Sequence, residues 1–247
     1  KIVTSMDALI SLQEDRWEIK TQGGVIVEES FVQRTPCLVM LRVKRTTGEL
    51  LMEITGKILK DNYPQLITSK TIGKCLDAIN ALGACIIDED YVLQNAYVTR
   101  CDVTVDVPLA DFEQFKTSIE TNIKQPFKWN VRHYDKNLTI EKNVKTPKVQ
   151  RRMSIYDKEK ELPKNTDFLR WVNNPEEIKN YFKGRKRFEL SLTTCSSIKE
   201  ELGIPTCRLK DVLSSTANPH VVFFTNLLKP SEKVTNTKKT MRMYDKE

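Results

Sequence analysis

The 247-residue chain has almost no histidine: two residues, His133 and His220, and no His-x-His pair. That excludes a paired-histidine metal clamp in its usual form, so a metal would be held mainly by oxygen. No CxxC occurs, and no cysteine has a histidine nearby at metal-ligand spacing, which argues against a zinc site. The six cysteines are Cys37, Cys75, Cys85, Cys101, Cys195 and Cys207. Most lie in apolar runs such as LGACII and RCDVTV, so they read as reduced, buried thiols of a cytoplasmic protein and not as a disulfide frame. No apolar run approaches the length of a membrane span, and no signal-peptide pattern is present. GxGxxG is missing, as is GxxxxGK followed by Ser or Thr, which argues against a nucleotide-binding phosphate loop. Lys1 is not an initiator methionine and the chain stops abruptly at YDKE, so the sequence reads as part of a longer protein.

Charge is plentiful. Lys+Arg is 40 and Asp+Glu is 33, a net charge of +7. Most of the excess is local: residues 141–190 hold 14 basic and 8 acidic side chains, a surplus of +6. Such a window reads either as a solvated face or as an anion site, for which a nucleic-acid backbone is the usual partner.

The pattern along the chain mixes short strands with helices. GVIVEE (24–29) and CLVMLRVK (37–44) alternate like strands. Residues 69–83 carry apolar side chains at Ile72, Cys75, Leu76, Ile79 and Leu82, the spacing of a helix stopped by Gly83. YVTRCDVTVDVPL (97–109) reads as one strand closed by Pro108, and residues 111–123 as an amphipathic helix. KWNVRHYDK, LTIEK and VQRRMSIYDK follow as three strands, the first two as a hairpin. NTDFLRWV and NPEEIKNYF start helices, RKRFELSLTTC (185–195) is a further strand, and SSIKEELGI is a short helix with a serine cap. RLKDVLSS and HVVFFTNLL read as helical tail elements. The fold class is therefore α+β, with a central antiparallel sheet and flanking helices. Residues 1–83 read as an N-terminal α/β region, 84–195 as a core that carries the chemistry, and 196–247 as a helical C-terminal region with a terminal strand.

Three stretches carry candidate chemistry. In RCDVTVDV, Asp102, Thr104 and Asp106 share one strand face, opposite Cys101, Val103, Val105 and Val107. An acidic row on an otherwise apolar strand must be solvated or paired with a cation, and a hard cation such as Mg²⁺ or Mn²⁺ suits carboxylate oxygen. Asp102 and Asp106 lie roughly 13 Å apart along a strand, so they share no single ion unless a bulge intervenes. In RKRFELSL, Arg187, Glu189 and Ser191 share a face, and Glu189 meets an aspartate of the first stretch if the two strands are neighbours. In RRMSIYDKEKEL, Tyr156 has a lysine within reach: Lys158 if the strand continues, or Lys160 if a helix starts. Free tyrosine, with a pKa of about 10, is a poor nucleophile at neutral pH. A nearby ammonium and a divalent metal would stabilise the phenolate, and the metal would polarise a phosphoryl oxygen. For a lone YDK the ordinary reading is a strand end followed by a turn.

Together and in this order, RCDVTVDV, MSIYDKEKEL and RFELSL resemble the replication-initiation proteins of rolling-circle plasmids and filamentous phages. The resemblance is to the tyrosine endonucleases that lack the paired-histidine motif, including related relaxases. It spans residues 100–192 and leaves the first hundred residues unaccounted for. It implies a single-strand DNA nickase with a five-stranded, HUH-endonuclease-like antiparallel sheet. Tyr156 would be the nucleophile, with Lys158 orienting the phosphate or assisting the tyrosine and Glu161 completing the motif. Asp102 and Glu189 would be the main ligands of Mg²⁺ or Mn²⁺, with Asp106 second. Arg151, Arg152, Arg185 and Arg187 would contact DNA. The product would be a 5′-phosphotyrosine link and a free 3′ hydroxyl. The partners implied are single-stranded or hairpin origin DNA, a helicase and a host DNA polymerase, with no membrane and with a homodimer open.

Tyr-Asp-Lys occurs at Tyr134, Tyr156 and Tyr244, and only Tyr156 has the full motif around it. Tyr134, beside Trp129, is a candidate base-stacking aromatic, and Tyr244 a candidate second nucleophile. Residues 1–83 are expected either to form part of the same domain or to add origin recognition. Three other readings stay open: a relaxase or transposase with the same chemistry; a non-catalytic single-strand nucleic-acid binder, which would leave the acidic faces unexplained; and a structural protein of a phage or mobile element, which predicts no metal dependence.

Overall fold

The computed structural model describes residues 1–134, 137–142 and 151–230. Tyr244 and the expected terminal strand lie outside the described residues, as do Asp135 and Lys136 of the first Tyr-Asp-Lys. The strands are, in chain order, β1 (Ile2–Ser5), β2 (Leu9–Leu12), β3 (Glu18–Gln22), β4 (Val25–Gln33), β5 (Val39–Lys44), β6 (Glu49–Ile54), β7 (Cys85–Ile87) and β8 (Tyr97–Val98). They are followed by β9 (Cys101–Pro108), β10 (Trp129–Tyr134), β11 (Asn137–Lys142), β12 (Arg151–Asp157) and β13 (Arg185–Leu192). The class is α+β with large antiparallel sheets, as the mixed pattern predicts.

Two sheets dominate. One has six strands in the order β3-β4-β5-β6-β1-β8, and the other five in the order β10-β11-β12-β13-β9; β2 pairs separately with β7. The expected single strand over 97–109 is two strands in different sheets. Tyr97–Val98 closes the six-stranded sheet against β1, and the five-stranded sheet begins at Cys101. The sheets built on residues 1–54 thus draw in strands from beyond residue 83.

Alternation explains both sheets. On β5, Val39, Leu41 and Val43 are fully buried, and they meet Leu50 and Met52 of β6. In the five-stranded sheet the two faces are chemically opposite. On one face lie the cross-strand rows Val105–Phe188–Ile155–Leu138 and Val103–Leu190–Met153–Ile140. Helices Phe112–Asn122, Cys195–Leu202 and Pro219–Leu227 belong to the same core. Phe115 and Phe224 stand edge-on to Phe188 at 5.7 and 6.0 Å. Each such buried Leu, Ile or Phe contributes about 1.5–3 kcal/mol of transfer free energy. The other face carries the rows Asp106–Arg187–Tyr156–Asn137, Thr104–Glu189–Ser154–Thr139 and Asp102–Ser191–Arg152–Glu141.

Two local expectations need correction. The helix Cys195–Leu202 is capped by Thr194 and not by a serine, with Ser197 closing a reciprocal capping box. Cys195 and Cys207 form a disulfide, so not all cysteines are thiols; residues twelve apart are brought together where the chain turns back after that helix. The other four cysteines are free, and burial pushes the Cys75 thiol up to about 12. Among the described residues no helix is long and apolar enough to cross a membrane.

Candidate active site

The polar face of the five-stranded sheet opens on a cavity of about 610 Å³. Asp102, Tyr156, Lys158, Glu161, Arg187 and Glu189 all line it. The far wall comes from the N-terminal region, notably Lys57 and Tyr63 on the 3₁₀ segment Gly56–Gln65. Three stretches distant in sequence therefore converge, because β12 lies beside β13 and β13 beside β9.

Tyr156 donates a hydrogen bond from its phenol to Glu189 Oε1 at 2.8 Å. Burial, and after it the Glu189 charge, push the phenol well above its ordinary value. The neutral phenol is thus the resting form: the Arg187 charge works against the rise, but desolvation outweighs it. The Lys158 ammonium sits 5.5 Å over the ring. Burial also raises the Glu189 carboxyl, and the nearby Asp102 charge adds to that rise.

The YDKE segment is a strand end turned into a helix start. Asp157 caps the single turn Lys158–Glu161 by accepting from Lys160 N at 3.1 Å. It also pairs with Lys186 at 3.1 Å, both side chains being buried. Lys158 is 1% exposed. Its ammonium pairs with Glu161 and lies between the rings of Tyr63, Tyr156 and Phe182. Although burial works against it, Lys158 holds the Glu161 carboxyl below its ordinary value.

Several expected DNA contacts are otherwise engaged. Arg187 has a 3% exposed side chain and binds both oxygens of Asp106, at 2.7 and 2.8 Å. Its remaining arm donates to the Tyr63 hydroxyl at 2.5 Å. Arg187 is therefore a buried strut and not a phosphate contact, and Asp106, with a 1% exposed side chain, is its counter-ion and not a metal ligand. Burial forces this pairing, since neither charge is stable there alone. Arg151 lies on the helix-covered face and pairs with Glu200 and Glu201. Arg152 remains on the polar face, half-exposed and paired with Glu141. Arg185 stacks 4.6 Å over Tyr181. Trp129 packs edge-on against Phe223 at 5.4 Å, whereas Tyr134 is exposed at the sheet edge. The histidines are structural: His133 pairs with Glu120 at 2.7 Å and His220 meets the Val103 carbonyl at 3.1 Å.

A divalent cation fits the donor set. Asp102, which accepts from Ser191 at 2.5 Å, and Glu189 lie diagonally on neighbouring strands, Cα atoms about 7–8 Å apart by sheet geometry. A cation bound there would relieve the repulsion between them. Among the described residues no three His, Cys, Asp or Glu side chains converge. Mg²⁺ needs no such cage, since one or two carboxylates plus substrate phosphate oxygens and water commonly hold it.

Lys57, Tyr63 and Asn165 are site residues that sequence patterns do not mark. The segment around Lys57 has no regular period, being broken by Lys60 at φ 51°. No protein-family model, no curated protein and no solved structure matches the chain.

Proposed function

We propose that the protein is a metal-dependent tyrosine endonuclease that nicks single-stranded DNA. The observation that carries this reading is the Tyr156–Glu189 hydrogen bond at 2.8 Å, inside a cavity lined by carboxylates and cations. A nucleophile held by a base, beside charges suited to a phosphate, is the kit for phosphodiester transfer.

In the reaction, the Tyr156 phenol oxygen bonds to phosphorus as its proton passes to Glu189 Oε1. The bond from phosphorus to the 3′ oxygen breaks, and that oxygen leaves as a 3′ hydroxyl with a proton from water. The 5′ side stays on the protein as a phosphotyrosine. A neutral resting phenol suits this sequence, because the proton departs only as attack proceeds. Asp102 and Glu189 would hold Mg²⁺ or Mn²⁺, which when bound offsets the negative charge on the phosphoryl and phenol oxygens. Lys158, fixed by Glu161, lies against the Tyr156 ring. A cavity lined by both the sheet face and the N-terminal segment favours an unpaired strand over a duplex. The freed 3′ hydroxyl would serve a host polymerase as primer, or a second strand transfer in a mobile element.

The test is a denaturing-gel assay of labelled single-stranded DNA from the protein's own element, with Mn²⁺ or with EDTA. The expected result is a metal-dependent covalent adduct that Tyr156→Phe abolishes. Tight binding with no adduct under any condition overturns the reading in favour of a binding module.

A further inference from the structure

We infer that Lys57, delivered by the N-terminal region, binds the scissile phosphate. The inference rests on the nicking reading and adds a positioning residue that lies outside the segment carrying its motifs.

The charges around the cavity are unevenly matched. Lys158 is neutralised by Glu161, Arg187 by Asp106, and Lys1 by Glu53. Arg100 is exposed at the rim. Lys57 is half-buried, and among the described residues no carboxylate lies within ion-pair distance of its ammonium. Its hydrogen bond goes to a neutral amide, Asn165 Oδ1, at 2.5 Å. The other end of that amide donates to Glu161 Oε1 at 2.7 Å, so Asn165 stands between the ammonium and the nearest negative charge. The chain Lys57–Asn165–Glu161–Lys158 then runs to the Tyr156 ring. A partly desolvated ammonium held by a neutral acceptor, opening on the nucleophile's cavity, lacks one anion, and a phosphodiester supplies one. Burial lowers the Lys57 ammonium from its ordinary value, and the Glu161 charge offsets this only in part.

The geometry also gives the N-terminal sheet a purpose. The 3₁₀ segment Gly56–Gln65 follows directly on β6, and Tyr63 anchors it on Arg187. The six-stranded sheet therefore fixes where Lys57 sits relative to Tyr156.

The test is a charge-deletion cycle on binding, run in the Tyr156→Phe protein so that nothing is cleaved. The probe is the single-stranded oligonucleotide that gives the adduct with the wild-type protein, with either a normal phosphate or a neutral methylphosphonate at the mapped nick. Lys57→Met is expected to weaken binding of the normal strand about tenfold, and the methylphosphonate to weaken binding to unaltered Lys57 about as much. Combining the two changes is expected to cost little more than either alone. Lys57→Arg is expected to recover most of the loss. Losses that simply multiply, or Lys57→Met binding as well as the unaltered protein, overturn the inference while leaving the nickase intact. Thermal unfolding checks that each variant folds. If Lys57→Met does not, Lys57→Gln, which keeps a donor for Asn165, enters the same cycle. If no oligonucleotide forms an adduct, the nicking reading and this inference fall together.

Discussion

At the scale of single residues, the proposed mechanism gives Glu189 opposite effects on function and stability. Its folded-state pKa is raised, first by burial, so the folded protein binds its proton more tightly than the unfolded chain does. That contribution to stability is present below the ordinary carboxylate range and is lost as pH rises through the folded value. Above that window the buried, ionised side chain is a cost to stability. Glu189→Gln is therefore expected to be more resistant to urea than wild type at pH 7, with the difference vanishing below about pH 4. The same substitution is expected to slow adduct formation about 10²–10⁴-fold. A Glu189→Gln protein that nicks normally would remove the base from the mechanism.

At the scale of elements, YDKE is mostly architecture. Asp157 both caps a helical turn and neutralises buried Lys186. Asp157→Ala is expected to cost about 3–5 kcal/mol in urea unfolding, since it strands a buried cation. Asp157→Asn is expected to recover only the cap, about 1 kcal/mol of that. Arg187→Ala is expected to cost a similar 3–5 kcal/mol by the same mechanism, where a surface phosphate contact would cost almost none. The strands around Asp102, Tyr156 and Glu189 are legible in the sequence because period-two alternation separates Asp102, Thr104 and Asp106 from Val103, Val105 and Val107 without knowledge of the fold. The meeting of Glu189 with Tyr156 is not legible, because alternation gives a side chain's face but not its neighbouring strand. Arg187 and Asp106 mislead for the same reason. Their residue types suit phosphate and metal, and only cross-strand register reveals that they satisfy each other. Nor does the break between Val98 and Cys101 announce itself, since β-branched residues continue across it.

At the scale of the whole molecule, the N-terminal region is part of the site. One continuous core runs from Ile2 to Leu227, and a smaller one joins Tyr63 to Phe168, Phe182 and Ile178. No motif falls in the first hundred residues, so the sequence leaves open whether residues 1–83 share a domain with the rest. In the fold they provide one wall of the cavity. A fragment of residues 84–247 is expected to lack a cooperative thermal transition and to form no adduct, because it loses the strands that β7 and β8 pair with. An independently folded, active fragment would show that the two sheets are dispensable to each other.

The central claim is that Tyr156 is the nucleophile, and the most direct measurement is the mass of the peptide that carries the DNA. After reaction with the single-stranded origin and Mn²⁺, nuclease and trypsin digestion separates the three Tyr-Asp-Lys sequences, because each follows a basic residue or lies a few residues beyond one. The account predicts a nucleotide phosphate on the peptide MSIYDK, at Tyr156, and none on the peptides holding Tyr134, Tyr244 or Tyr63. The modification on any other tyrosine, or on none, would contradict it.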